Sequence, residues 1–178
     1  MSVKSTETRY GAVIVVVHWV SAVLILALIV SGLRADGLTD ETDKAAVLSL
    51  HISLGFGVLA LTLFRLVWWQ VADRKPPPSP MRRWQHRVAR AVHALLYLVV
   101  LGTIVSGIAM LAQSGAAPII FGTSAAALPD FHSYGPRAPH GFGAVALIAL
   151  LALHAGAAFH HHFIKKDGLL NRMWFGKP

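Results

Sequence analysis

The chain has 178 residues, which suggests one domain; 55% of them are hydrophobic, only 13% are charged, and the net charge is +8. A soluble domain carries about twice that charged fraction, and a disordered chain is poorer in apolar residues, so the composition indicates an integral membrane protein. The absence of cysteine excludes disulfide scaffolds, Cys-based zinc sites, iron–sulfur clusters and covalently attached c-type haem.

In chain order, apolar stretches predict transmembrane helices at about 12–33, 45–69, 88–112 and 138–163, each near the roughly 20 residues a helix needs to cross the hydrocarbon core. Only helices satisfy their own backbone in lipid. The expected fold is therefore all-α: a four-helix transmembrane bundle forming a single membrane domain over 1–178. The first span follows Lys4 and Arg9 but exceeds a signal-peptide core and lacks an A-x-A site, so it is read as a retained anchor.

The first connection, 34–44, sets Asp36, Asp40, Glu41 and Asp43 against Arg34 and Lys44. The second, 70–90, carries Arg74, Lys75, Arg82, Arg83, Arg87 and Arg90 against Asp73 alone. By the positive-inside rule, both termini and this second loop lie in the cytoplasm of a multi-pass inner-membrane protein. The positive charge thus reflects topology, and no basic face interleaved with aromatics remains for nucleic acid. Lys75-Pro76-Pro77-Pro78-Ser79-Pro80 reads as a stiff extended connector. Segment 113–137 is expected to cover the outer face with a short helix. No internal repeat is evident.

Coordinating groups inside a bilayer are costly, so each is a functional hypothesis. His18 and His93 fall near the inner ends of the first and third spans, and His51 near the outer end of the second. His140 and His154 are 14 residues apart, close to four turns, so they share a face about 21 Å apart along the helix. His140 is then level with His51, and His154 with His18 and His93. Two pairs at two depths suit two stacked b-type haems, each held by two imidazoles as in electron-transfer centres, inside a four-helix bundle. Spacing leaves open whether His18 or His93 joins His154. Any single histidine could instead be an interhelical hydrogen-bond partner. An imidazole zinc or copper site, as in a metal transporter, is the weaker reading because no carboxylate or thiol lies at matching depth.

His160, His161 and His162 close the last span, either as an interfacial polar end or with one of them lining a quinone pocket; His161, seven residues after His154 on the same face, is the best candidate. Arg65 either snorkels to the headgroups or pairs with a haem propionate. Trp19, Trp68, Trp69 and Trp84 read as interfacial residues, and His86 and His132 as surface histidines.

Taken together, His18-Trp19, His51 with Gly55 and Arg65-Leu66, His93 with Tyr97-Leu98, His140 with His154, and His161-His162-Phe163 through Lys166-Asp167 resemble the bacterial cytochrome b561 family, from Tyr10 to about Met173. The resemblance implies that His18 and His154 ligate the iron of an inner haem and His51 and His140 that of an outer one, with His93 beside the quinone or haem. It is closest to stand-alone members without a partner domain. These imply a superoxide:quinone oxidoreductase that oxidises superoxide to oxygen at the periplasmic face and reduces ubiquinone near the cytoplasmic face, with protons taken up near His93 and His161. The alternative within the family is an anchor subunit passing electrons between a hydrogenase or dehydrogenase partner and the quinone pool. The near-neutral to acidic outer loops leave steering of an anion to Arg34, Lys44 or Arg137.

Overall fold

The computed structural model describes residues 2–77 and 81–175. Its helices are α1 (Ala12–Gly37), α2 (Glu41–Val71), α3 (Arg83–Ser114), the short α4 (Ala117–Ile120) and α5 (Arg137–Phe159), which continues as a π-helical turn, His160–Lys165. No strand occurs among the described residues. Four helices are long and apolar enough to cross a membrane, the last running from Arg137 to Lys165, so the all-helical expectation holds. Large apolar side chains lie open along them, with Phe142 78% and Leu98 67% exposed. Such a surface suits lipid and would associate in water. The stiff connector falls partly outside the described residues, at 78–80.

The helices α2, α3 and α5 start earlier than their apolar runs. Asp40 caps α2, its Oδ1 accepting from the Asp43 amide at 2.9 Å, and Glu41 and Asp43 sit in the first turn, where negative charge complements the helix dipole. At α3 the Gln85 side chain accepts from the Arg82 amide at 3.0 Å, so the helix opens on arginines before any lipid-facing residue. Hydropathy marks the part of a helix that meets lipid; capping decides where the helix begins. Gly115, at φ 62°, follows the end of α3, a left-handed position glycine adopts without strain. Segment 113–137 does contain a short helix, α4, whose Ile120 is buried.

The chain divides into two compact units. The first comprises Met1–Ala22, Ala60–Tyr97 and Ala149–Pro178, the second Val23–Leu59 and Leu98–Ile148. Each unit thus holds a stretch of all four long helices.

In the first unit, segments from three parts of the chain are clasped together. Asp73 accepts from the Ser5 amide at 3.0 Å, the Ser5 hydroxyl at 2.8 Å and the Arg74 amide at 2.8 Å. Arg9 donates to the carbonyls of Asn171 and Trp174, and Arg172 to those of Thr8 and Pro77. The Trp19 indole donates to the Met173 carbonyl at 2.8 Å and meets Trp174 edge-on, so Trp19 is part of the clasp. Gly11 makes the turn into α1 possible, because a Cβ there would lie 2.4 Å from the Val3 carbonyl oxygen.

Partial burial acts to raise the Asp73 carboxyl, but the Ser5, Arg74 and Trp68 donors outweigh it and hold it below its usual value. A depressed carboxylate contributes its full stabilisation above the unfolded value of about 3.9, and loses it as pH falls through the lower folded value. The Ser5 amide resonance in detergent-solubilised protein is expected to titrate below that value in the native chain and to be pH-independent there in Asp73→Asn. A native midpoint at or above it would contradict the assignment.

In the second unit, the Arg137 guanidinium meets the Asp36 carboxylate at 2.7 Å, and the Leu128 amide donates to Glu41 at 3.3 Å. The outer-loop candidate Arg137 therefore already has an acidic partner.

Candidate functional site

The second unit brings His51 and His140 together, with ring centres 6.1 Å apart and planes at 66°. Each ring is cupped by a neighbouring helix in the same way. The His51 Nδ1 lies 3.0 Å from the Ser31 Oγ on α1. The His140 Nδ1 lies 3.2 Å from the Ser106 Oγ and 3.0 Å from the Thr103 carbonyl oxygen on α3. A carbonyl only accepts, so His140 carries its proton on Nδ1 and leaves the Nε2 lone pair free. The next residue is glycine in both cups: a methyl on Gly32 or on Gly107 would stand 3.1 Å from the Cε1 of its histidine.

Gly32→Ala and Gly107→Ala are each expected to crowd an imidazole and cost about 1–3 kcal/mol, as overpacking of a filled site does. The reading is a lowered thermal unfolding midpoint in detergent; unchanged midpoints would mean that the rings have room to retreat.

The first unit brings His18, His93 and His154 together. His18 and His154 have ring centres 6.2 Å apart at 65°, which reproduces the other pair. His93 and His154 are closer, at 5.3 Å. A metal–imidazole bond of about 2.0 Å on each side, with about 1.1 Å from nitrogen to ring centre, separates two trans imidazoles by about 6.2 Å. His51–His140 and His18–His154 have that spacing, whereas His93–His154 falls short of it. Among the described residues no group of three or more His, Cys, Asp or Glu side chains is placed to hold a metal ion.

Arg65 belongs to the first unit, and its charge acts on His18, His93 and His154. Its Nε and Nη2 are buried and, among the described residues, have no hydrogen-bond partner. A guanidinium does not normally remain so, because unpaired burial forfeits its hydration. The arrangement calls for an anionic group.

His161 is buried on the π-helical turn, a form of helix frequent at functional sites. Its Nδ1 meets the Asp167 carboxylate, and the chain reverses between them through Lys166 at φ 52°. Burial acts to raise the Asp167 carboxyl, but its bonds to His161 and the Leu169 amide and the charges of His161 and Lys165 hold it low. Among the described residues no hydrogen bond or ring contact joins His161 to the His18–His93–His154 cluster.

The residues that cup the imidazoles escaped the sequence reading, although a signal was present. Ile-Val-Ser-Gly occurs at 29–32 and again at 104–107. His18 precedes Gly32 by 14 residues, as His93 precedes Gly107; His51 precedes Arg65 by 14, as His140 precedes His154. The helices α1 and α3 therefore share one register, and α2 and α5 share another, with Arg65 standing where α5 has His154. Four identical residues are too few to register as a repeat until the structure shows them doing the same work.

A family model, prokaryotic cytochrome b561, matches residues 9–176. Cytochrome b561 homolog 2 of Escherichia coli is 29% identical over 97% of this chain and 95% of its own length. A probable superoxide oxidase of Yersinia pestis is 30% identical over 93% and 95%. Cytochrome b562 of Cereibacter sphaeroides is 30% identical over 94% and 96%.

Proposed function

Since this chain belongs to the prokaryotic cytochrome b561 family, we propose that it is a di-haem membrane oxidoreductase that takes electrons from superoxide on the periplasmic side and reduces ubiquinone near the cytoplasmic side. Membrane electron transfer and b-type haem come with the family. The superoxide activity is suggested by the probable superoxide oxidase among the relatives, and the orientation by the arginine-rich 70–90 loop, with both termini in the cytoplasm.

The residues present fit b-type haem. The observation that carries the reading is the matched spacing of two imidazole pairs, 6.1 and 6.2 Å between ring centres. His51 and His140 would hold the outer group and His18 and His154 the inner one, with His93 alongside. Arg65, with two buried nitrogens that have no hydrogen-bond partner among the described residues, would bind a propionate, the anion its position calls for. Bound haem would supply one-electron carriers between the two substrates. Ubiquinone needs two electrons and two protons, so two superoxide ions release two oxygen molecules for each quinol formed. His161, buried and oriented by Asp167, would donate a proton to the quinone near His93, with Asp167 linking it to solvent.

The test is stopped-flow absorbance of the purified, oxidised protein mixed with superoxide, with and without ubiquinone. Rapid appearance of the reduced-haem bands, reversed by quinone, is expected. Bands that ignore superoxide but respond to a chemical reductant would refute the oxidase reading and favour an anchor for a partner dehydrogenase.

A further inference from the structure

The two imidazole sites differ in a way that bears on the direction of electron flow. We propose that Ser31 and Ser106 are positioning residues that hold the His51–His140 site at the lower reduction potential, so that electrons run from it to the His18–His154 site. This rests on the two-haem reading above.

The argument begins with where the protons are. The Ser106 hydroxyl donates to the Thr103 carbonyl at 2.8 Å, so its oxygen is left to accept from the His140 Nδ1–H. Ser31 repeats this on α1, donating to the Leu28 carbonyl at 3.1 Å and presenting its lone pairs to the His51 Nδ1. Both serines are buried, at 5% and 8% exposure, so water competes little for these bonds. An imidazole that donates its second N–H becomes a more basic ligand, and a more basic ligand favours ferric over ferrous iron.

His18 and His154 lack this assistance. Among the described residues neither ring makes a hydrogen bond, their contacts being ring-to-ring. The Arg65 charge acts on both, and a nearby positive charge favours addition of an electron. Donated N–H bonds at one site and a cation at the other separate the two potentials in the same sense. The gradient descends from the site proposed to meet superoxide toward the site proposed to meet quinone, one electron at a time and with no further reactant.

The test is potentiometric titration of the full-length, haem-loaded protein, followed at the haem α-band, for native protein and Ser31→Ala/Ser106→Ala. The native chain is expected to show two components. In the variant the lower should move upward while the higher stays, and Ser31→Thr/Ser106→Thr, which restores the hydroxyls, should return it. His51→Ala identifies the components, and the lower one should vanish. If the double variant binds haem poorly, the single variants supply the same reading, each with a smaller upward shift. A lower component that does not move at full haem content would overturn the proposal, as would loss of the higher component in His51→Ala. Fewer than two haems per native chain would instead overturn the di-haem reading on which it rests, so the two failures are distinguishable.

Discussion

Replacing His51 or His140 with alanine is expected to remove one haem and leave the spectrum of the other, and His154→Ala is expected to do the reverse. The ring spacings add a sharper expectation. His18→Ala should lose the same haem as His154→Ala, because those rings stand 6.2 Å apart. His93→Ala should retain both, because its ring lies 5.3 Å from that of His154 and not at the 6.1 and 6.2 Å of the other two pairs. Haem content and the visible spectrum of each purified variant decide the matter. If His93→Ala lost a haem while His18→Ala kept both, the inner ligand would have to be reassigned. Retention of both haems in His51→Ala would remove the outer site altogether.

The second large effect is expected at the quinone. His161 is buried, and Asp167 engages its Nδ1, which orients the ring and connects it to a partly exposed carboxylate. Positioned proton transfer contributes about 10²–10⁴-fold to a rate. His161→Ala should slow reoxidation of the chemically reduced protein by ubiquinone by a factor in that range while both haem bands persist. Asp167→Asn should slow it less, since the imidazole remains and only its orientation is relaxed. Loss of haem in His161→Ala would make His161 a ligand, and an unchanged rate would remove it from the quinone reaction.

The fold was largely legible in the sequence. Lipid demands long apolar runs, and those at 12–33, 45–69, 88–112 and 138–163 are the centres of α1, α2, α3 and α5. The ends were not legible: Asp40 and the arginines before the third apolar run extend the helices past any lipid-facing residue. The π-helical turn at His160–Lys165 has no hydropathy signal, because one extra residue in a turn leaves composition unchanged.

The candidate site divides along a similar line. Zero cysteines, ten histidines and the 14-residue interval between His140 and His154 define which ligands are available, which depth each occupies and which share a face, because a helix converts sequence interval into rise and rotation. The same geometry says nothing about how one helix is rotated against its neighbour. That rotation is decided by packing, and only the tertiary structure supplies it. It stands the His18 ring 6.2 Å and the His93 ring 5.3 Å from that of His154. It sets Ser31-Gly32 against His51 and Ser106-Gly107 against His140, leaves two buried Arg65 nitrogens with no hydrogen-bond partner among the described residues, and turns the chain at Lys166 so that Asp167 meets His161.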